Sequence, residues 1–126
     1  MMKILLVEDE KTIRNALRFA LQKVGHQICE SENPMTALTQ IRQQKFDLMI
    51  LDLNMPHLTG QEFLELLQKE DKLLPTIILT SENTTCKQIS RNGAGGEHLL
   101  QIISKDLSLP EILKQIKIFL KSTHSI

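Results

Sequence analysis

The chain has 126 residues, and its 15 basic and 15 acidic residues balance to a formal net charge of zero. This length fits one domain with a proper core, so we expect a single domain over residues 1–126. A balanced charge gives no electrostatic reason for the whole chain to bind nucleic acid or an anionic membrane. The chain has no Trp, no Tyr and 4 Phe, which argues against the aromatic platforms of single-strand nucleic-acid binders.

The cysteines and the N-terminal segment indicate a compartment. Cys29 and Cys86 lie in different segments without disulfide or zinc spacing, so reduced thiols are expected. The apolar run in the opening MMKILLVEDE is too short for a signal peptide or a membrane span. We therefore expect a cytoplasmic protein that is not attached to a membrane.

Short apolar runs alternate with helical patterns along the chain. The runs are continuous in hydrophobicity, as expected for parallel strands that helices cover on both faces. They predict strands over residues 3–7, 26–30, 46–51, 76–80 and 99–104. Apolar stripes of helical period and cap residues predict helices over about residues 13–24, 34–41, 60–70 and 84–91, and after Ser108.

Cap residues support three of these helix ends. Gly25 is expected just beyond the end of the first helix, and Asn33 is expected to cap the second, with Pro34 at its first position. Ser108 and Glu111 have the spacing of a capping box before the last helix. The sum is a doubly wound, five-stranded parallel sheet with about five helices.

Polar residues follow four of the five predicted strands at the point where each strand ends. Ligands of such sheets bind at the carboxyl ends of the strands, where these side chains should converge. They are Glu8 and Asp9 after the first strand, Asp52 after the third, Thr80 at the end of the fourth and Lys105 after the fifth.

Three carboxylates at one edge of the sheet repel one another unless a cation lies among them. Mg²⁺ suits this arrangement, because it takes oxygen ligands from carboxylates and a carbonyl and still accepts a phosphate oxygen. We expect Glu8, Asp9 and Asp52 to hold the metal, with the backbone carbonyl of Asn54 as a further ligand. Lys105 supplies a second positive charge.

Such a site can accept a phosphoryl group on Asp52. Mg²⁺ and Lys105 would neutralise the charge on the transferring group, and the product would be an acyl phosphate. The hydroxyl of Thr80 could donate a hydrogen bond to a phosphate oxygen, and the small Ser81 would leave room for it.

The motifs LLVEDE, LDLNMPHLTG and LTSE and the late Lys105 resemble the receiver domain of two-component response regulators along nearly the whole chain. The resemblance implies the flavodoxin-like receiver fold and Mg²⁺-dependent transfer of a phosphoryl group to Asp52 from a histidine kinase or phosphotransfer protein. It also implies a signalling module, not an enzyme, that engages an output partner. The resemblance is also compatible with a dimer that forms on phosphorylation. No helix-turn-helix or zinc finger is visible, so direct binding of nucleic acid is not expected.

The chain departs from the receiver pattern in its last third. The family commonly has Pro in a cis peptide after the Lys, where this chain has Asp106, and an aromatic residue shortly before the Lys, where it has Ile102. Residues 95–98 lengthen the approach to the last strand. The surface that would signal to a partner, near residues 95–106, is therefore expected to differ from that of other receiver domains.

Two other functions fit part of the pattern. A phosphatase of the haloacid-dehalogenase type also uses an Asp nucleophile, a hydroxyl residue and a Lys, but it requires a second Asp where this chain has Asn54 and takes its metal acids from late in the chain. A degenerate receiver that acts as a phosphorylation-independent interaction module would explain Ile102, Asp106 and the insertion.

Overall fold

The computed structural model describes residues 1–55, 59–81 and 99–124, and for residues 99, 100 and 122–124 it describes the backbone only. The described strands are Lys3–Val7 (β1), Gln27–Ser31 (β2), Leu48–Asp52 (β3), Thr76–Thr80 (β4) and Leu99–Ser104 (β5). The helices of the described part are Lys11–Lys23 (α1), Pro34–Gln43 (α2), Gly60–Lys69 (α3) and Leu109–His124 (α4). The helix predicted over residues 84–91 and the insertion at 95–98 lie outside the described residues.

The five strands form one parallel sheet in the order β2-β1-β3-β4-β5. The chain runs outward from β1 to one edge and then returns to build the other half from β3. This reversal opens a crevice at the carboxyl ends of β1 and β3, where doubly wound sheets bind ligands. The predicted five-stranded parallel sheet is confirmed.

Helices cover both faces of the sheet. Side chains alternate along β1, so that Leu5 and Val7 pack with α2 and α3 on one face, while Ile4 and Leu6 pack with α1 and α4 on the other. Each fully buried side chain of this size contributes about 1.5–3 kcal/mol relative to exposure. Two apolar layers therefore hold the strand ends in place from both sides.

The predicted caps of α2 and α4 are confirmed. Asn33 Oδ1 accepts a hydrogen bond of 2.9 Å from the N–H of Thr36, and Pro34 is the first residue of α2. Ser108 Oγ accepts a bond of 3.3 Å from the N–H of Glu111 at the start of α4. These bonds satisfy backbone donors that have no partner within the helix.

The end of α1 differs in part from the prediction. Gly25 has a left-handed φ of 101° just beyond the helix, as expected of a residue in this position. Val24, the last residue of the apolar stripe that predicts a helix over about residues 13–24, is 52% exposed instead of buried. The helix ends at Lys23, so Val24 lies in the turn and no longer faces the core.

Two strand boundaries also differ from those predicted. β2 begins and ends one residue later than 26–30, and β3 starts at Leu48 and includes Asp52 instead of spanning 46–51. The boundaries of β1, β4 and β5 match the prediction.

Gly60 packs closely against the loop that follows β3. Its N–H donates a hydrogen bond of 3.2 Å to the carbonyl of Leu53. A methyl group at this position would lie 2.8 Å from the Leu53 Cα, too close for a carbon atom. A glycine is therefore required where α3 begins beside the residue that follows Asp52.

Among the described residues, no helix combines the length and the apolar character needed to cross a membrane.

Candidate functional site

The carboxyl ends of the strands bring the predicted acids together. Glu8 and Asp9 follow β1, Asp52 is the last residue of β3, and one carboxylate oxygen from each lies within 4.8 Å of the others. Glu8 and Asp52 are fully buried, whereas Asp9 is exposed to solvent. The acidic site thus has two buried members and one at its mouth.

Lys105 projects into the acids from the end of β5. Its Nζ lies 3.1 Å from Asp52 Oδ2 and 3.2 Å from Glu8 Oε2, and it donates a hydrogen bond to each. Glu10 Oε2 lies further away, at 3.9 Å. The backbone N–H of Lys105 donates a hydrogen bond of 2.9 Å to the backbone carbonyl of Thr80, which fixes Lys105 against the end of β4. One ammonium group therefore serves two buried carboxylates.

The pKa of Glu8 is raised from 4.5 to about 8. Burial is the largest cause, and the hydrogen bond with Asp52 and the charge of Asp52 add to it. The hydrogen bond from the Glu10 N–H and the charge of Lys105 act in the opposite direction. Without a metal, Glu8 therefore carries a proton in most molecules near neutral pH.

Opposing effects act on the pKa of Lys105. Burial lowers it, but the charges of Asp52 and Glu8 and the hydrogen bonds to both outweigh burial and raise the pKa above its usual value. The ammonium form of Lys105 is therefore the resident form in this site.

The acids have the chemistry of a site for a hard divalent cation. Glu8 Oε1 is buried and accepts no hydrogen bond of proper geometry from the described residues, although Lys105 Nζ lies 3.2 Å from it. A buried carboxylate oxygen without such a bond is costly unless a cation coordinates it. Glu8, Asp9 and Asp52 each offer one carboxylate oxygen, and together these oxygens form a donor set that fits Mg²⁺.

Asn54 enters the site in a way that the sequence did not indicate. Its N–H donates a hydrogen bond of 2.9 Å to Asp52 Oδ1. Its side-chain oxygen accepts bonds from Thr80 Oγ1 at 3.2 Å, from the Ser81 N–H at 2.9 Å and from Ser81 Oγ at 3.3 Å. The role of its backbone carbonyl as a metal ligand stays a prediction.

Arg14 is a site residue that the sequence reasoning missed. Its Nη1 donates a hydrogen bond of 2.8 Å to the backbone carbonyl of Glu8, and its Nε lies 3.6 Å from Glu30 Oε1 on β2. The guanidinium therefore ties the turn after β1 to the neighbouring strand. A basic residue in the first turns of the helix that follows an acid pair is the signal that could have indicated this contact.

The departures from the receiver pattern lie beside the site. Ile102 is half-buried and packs against the core on the face covered by α2 and α3. The peptide bond between Lys105 and Asp106 is trans, and the Asp106 N–H donates to Ser104 Oγ at 3.1 Å. An aliphatic side chain thus points inward where the family commonly has an aromatic one.

The fold and the site define a class: a doubly wound parallel sheet with acids and a lysine at the carboxyl ends of its central strands. The family profile of the response regulator receiver domain matches residues 4–117. The chain therefore belongs to the receiver domain family of response regulators, which are signalling modules of two-component systems. This membership favours the receiver interpretation over the phosphatase, and the grouping of Glu8, Asp9 and Asp52 beside Lys105 gives no support to the degenerate module.

Curated relatives and solved structures agree with this assignment. The chain is 29% identical to the response regulator MprA of Mycobacterium leprae over 122 residues, which cover 97% of this chain and 52% of that protein. It is 32% identical to the KDP operon transcriptional regulatory protein KdpE of Escherichia coli over 121 residues, which cover 96% of this chain and 52% of that protein. The chain thus spans about half the length of the curated relatives it matches.

Among solved structures, the receiver domain of the Francisella response regulator 1452 superposes with a TM-score of 0.78 at 24% identity, covering 98% of this chain and 99% of that one. This likeness supports the fold. The response regulator TrrA of Thermotoga maritima, solved in complex with Mg²⁺-BeF, has a TM-score of 0.72 at 29% identity and covers 94% of this chain and 99% of that one.

Proposed function

We propose that Asp52 accepts a phosphoryl group from a phosphohistidine of a sensor kinase or phosphotransfer protein, and that the modified domain signals to an output partner. The observation that carries the proposal is the position of Lys105 Nζ, 3.1 Å from Asp52 Oδ2, beside carboxylates of Glu8 and Asp9. An acid that merely ended a strand would not require a partly buried ammonium group and two further acids beside it.

Residues of this chain would hold Mg²⁺ and position Asp52. Glu8, Asp9 and Asp52 supply carboxylate oxygens, and the carbonyl of Asn54 is the further ligand that we propose. The bound ion would neutralise negative charge on the transferring phosphoryl group. The solved structure of TrrA in complex with Mg²⁺-BeF supports binding of Mg²⁺ by analogy, since that protein has the same fold at 29% identity.

The transfer forms one bond and breaks another. A carboxylate oxygen of Asp52 attacks phosphorus, the P–N bond to the donor imidazole breaks, and its electron pair returns to the nitrogen, which takes a proton from water. Lys105 donates hydrogen bonds in this region and balances the charge that gathers on the phosphoryl oxygens. Thr80 lies at the end of the adjacent strand and would donate its hydroxyl to the product.

The domain is proposed to change its partner interactions on phosphorylation and not to turn over a substrate. The half-buried Ile102 on β5 would occupy the position of the usual aromatic residue in that change. A dimer of phosphorylated chains is one form that the output could take.

Incubation with acetyl phosphate or phosphoramidate and Mg²⁺ tests the proposal by intact-protein mass spectrometry. We expect one added phosphoryl group in the wild type and none in Asp52→Asn. Asp71→Asn makes the same change at an exposed turn far along the chain and should be labelled like the wild type. Labelling that persists in Asp52→Asn, or that needs no Mg²⁺, would contradict the proposal.

A further inference from the structure

Asn54 makes an unusual cluster of hydrogen bonds at the edge of the acidic site. Its Oδ1 accepts from Thr80 Oγ1, the Ser81 N–H and Ser81 Oγ at 3.2, 2.9 and 3.3 Å. The Ser81 N–H can only donate, so the oxygen and not the nitrogen of the carboxamide must face it. The side chain of Asn54 therefore acts as an acceptor for groups at the end of β4.

The three bonds share one acceptor oxygen, and the two from hydroxyl groups are weak. A carbonyl oxygen has two lone pairs, yet three donors approach this one. The two hydroxyl contacts, at 3.2 and 3.3 Å, are also long for hydrogen bonds between oxygens. The side chain of Asn54 is exposed, so water can replace it. The two hydroxyl donors can therefore change acceptor at small cost, and the Ser81 N–H shares an oxygen that has only two lone pairs.

The same residue is bonded directly to the proposed phosphoacceptor. The Asn54 N–H donates to Asp52 Oδ1 at 2.9 Å, and Asp52 pairs with Leu79, the residue before Thr80, across β3 and β4. A phosphoryl group on Asp52 brings further strong acceptor oxygens to this edge of the sheet. The donors at the end of β4 that those oxygens can recruit are the ones that Asn54 holds.

We propose that the Asn54 carboxamide oxygen is a competing acceptor that holds the Thr80 and Ser81 donors in the resting state and yields them to the phosphoryl group on activation. The proposal rests on phosphorylation of Asp52 as argued above. Asn54 is thereby a positioning residue: its side chain acts through Thr80 and Ser81 and sets how readily the phosphorylated arrangement forms.

The direction of the effect separates this role from a structural one. Removing a merely structural asparagine would disorder the end of β4 and weaken binding of a phosphoryl group or its mimic. Removing a competing acceptor frees the donors and strengthens that binding. The backbone N–H of residue 54 is retained in Asn54→Ala, so its hydrogen bond to Asp52 persists.

The test compares the wild type, Asn54→Ala and Asn15→Ala. Asn15 lies on α1, where its Oδ1 accepts from Arg18 Nη2 at 3.3 Å, so Asn15→Ala makes the same chemical change away from the site. The first measurement is the Kd of beryllofluoride, a phosphoryl mimic, at saturating Mg²⁺. The second is the hydrogen-exchange rate of the Ser81 amide without beryllofluoride.

We expect Asn54→Ala to bind beryllofluoride roughly three- to tenfold more tightly than the wild type, as loss of a competing hydrogen bond implies. The Ser81 amide should exchange faster, and Asn15→Ala should stay within about twofold of the wild type in both measurements. Equal or weaker binding by Asn54→Ala, or an unchanged Ser81 exchange rate, would overturn the competing-acceptor role alone. Failure of the wild type itself to bind with Mg²⁺ would overturn the proposed function and this role with it.

Discussion

Replacing Glu8 with Gln removes a buried carboxyl group whose protonation is linked to folding. The folded protein holds the Glu8 proton up to a pKa of about 8, whereas the unfolded chain loses it near 4.5. A raised pKa stabilises the fold fully below the unfolded value, and this stabilisation is lost as the pH rises through the folded value. Without Mg²⁺, the wild type should therefore lose stability between about pH 5 and about pH 8 relative to Glu8→Gln.

The size of the loss follows from the shift in pKa. Each pH unit in this window costs about 1.36 kcal/mol, because one proton more is bound in the folded state. Summed from about pH 5 to about pH 8, the loss in free energy of unfolding of the wild type relative to Glu8→Gln is about 3–4 kcal/mol. With a urea m-value of about 1–3 kcal/mol/M, the midpoint of the wild type should move by roughly 1–3 M relative to Glu8→Gln.

The assay is urea unfolding of both proteins with a chelator at the two pH values. Subtracting the variant from the wild type cancels the titration of other groups. Glu65→Gln, an exposed substitution on α3, reports the effect of the amide alone and should track the wild type. The test is how the difference in free energy of unfolding between the wild type and Glu8→Gln changes from about pH 5 to about pH 8. A change of less than about 0.5 kcal/mol would refute the conclusion that burial in the acidic site raises the pKa of Glu8.

Three further predictions concern the loop, the lysine and the metal. Gly60→Ala should lower the free energy of unfolding by about 1–3 kcal/mol, because its methyl group would lie too close to the Leu53 backbone. Gln61→Ala is the control, and a Gly60→Ala protein as stable as the wild type in urea would contradict the close packing. Lys105→Met should cost about 1–3 kcal/mol without Mg²⁺, since the buried acids Glu8 and Asp52 lose the ammonium group that donates hydrogen bonds to both. Mg²⁺ should restore part of this loss in thermal unfolding. Undiminished stability would argue against the ion pairs. In the wild type, Mg²⁺ at about 100 times its Kd should raise the free energy of unfolding by about 2.7 kcal/mol. Asp9→Asn should need a higher Mg²⁺ concentration for the same shift in Tm. A wild-type Tm that does not change with Mg²⁺ would count against the metal site.

The sheet and its order of elements could be predicted because the signals are local. Continuous apolar runs marked β1, β4 and β5 with matching boundaries, and caps such as Asn33 fixed where helices begin. The predicted range of β2 lies one residue too early, because this edge strand mixes polar and apolar residues and its ends are therefore poorly marked in the sequence. Val24 continues the apolar period of α1, but the helix already ends at Lys23, so periodicity alone wrongly predicts its burial.

The convergence of the acids could be predicted from topology, because parallel strands end at one edge of the sheet. Contacts made by side chains across that edge could not. The bond from Arg14 to the Glu8 carbonyl depends on the angle at which α1 leaves the sheet. The bonds between the Asn54 side chain and Ser81 depend on the turn after β3, where a single side-chain rotamer decides which strand end it meets.

The most direct test of phosphoryl transfer to Asp52 is to trap the acyl phosphate with borohydride after incubation with Mg²⁺ and acetyl phosphate. Borohydride reduces an acyl phosphate to an alcohol, which marks the modified residue for peptide mass spectrometry. The account predicts homoserine at residue 52 in the wild type, dependence on Mg²⁺, and no such mark in Asp52→Asn. Reduction at another carboxylate, or at none in a folded protein that binds Mg²⁺, would contradict it.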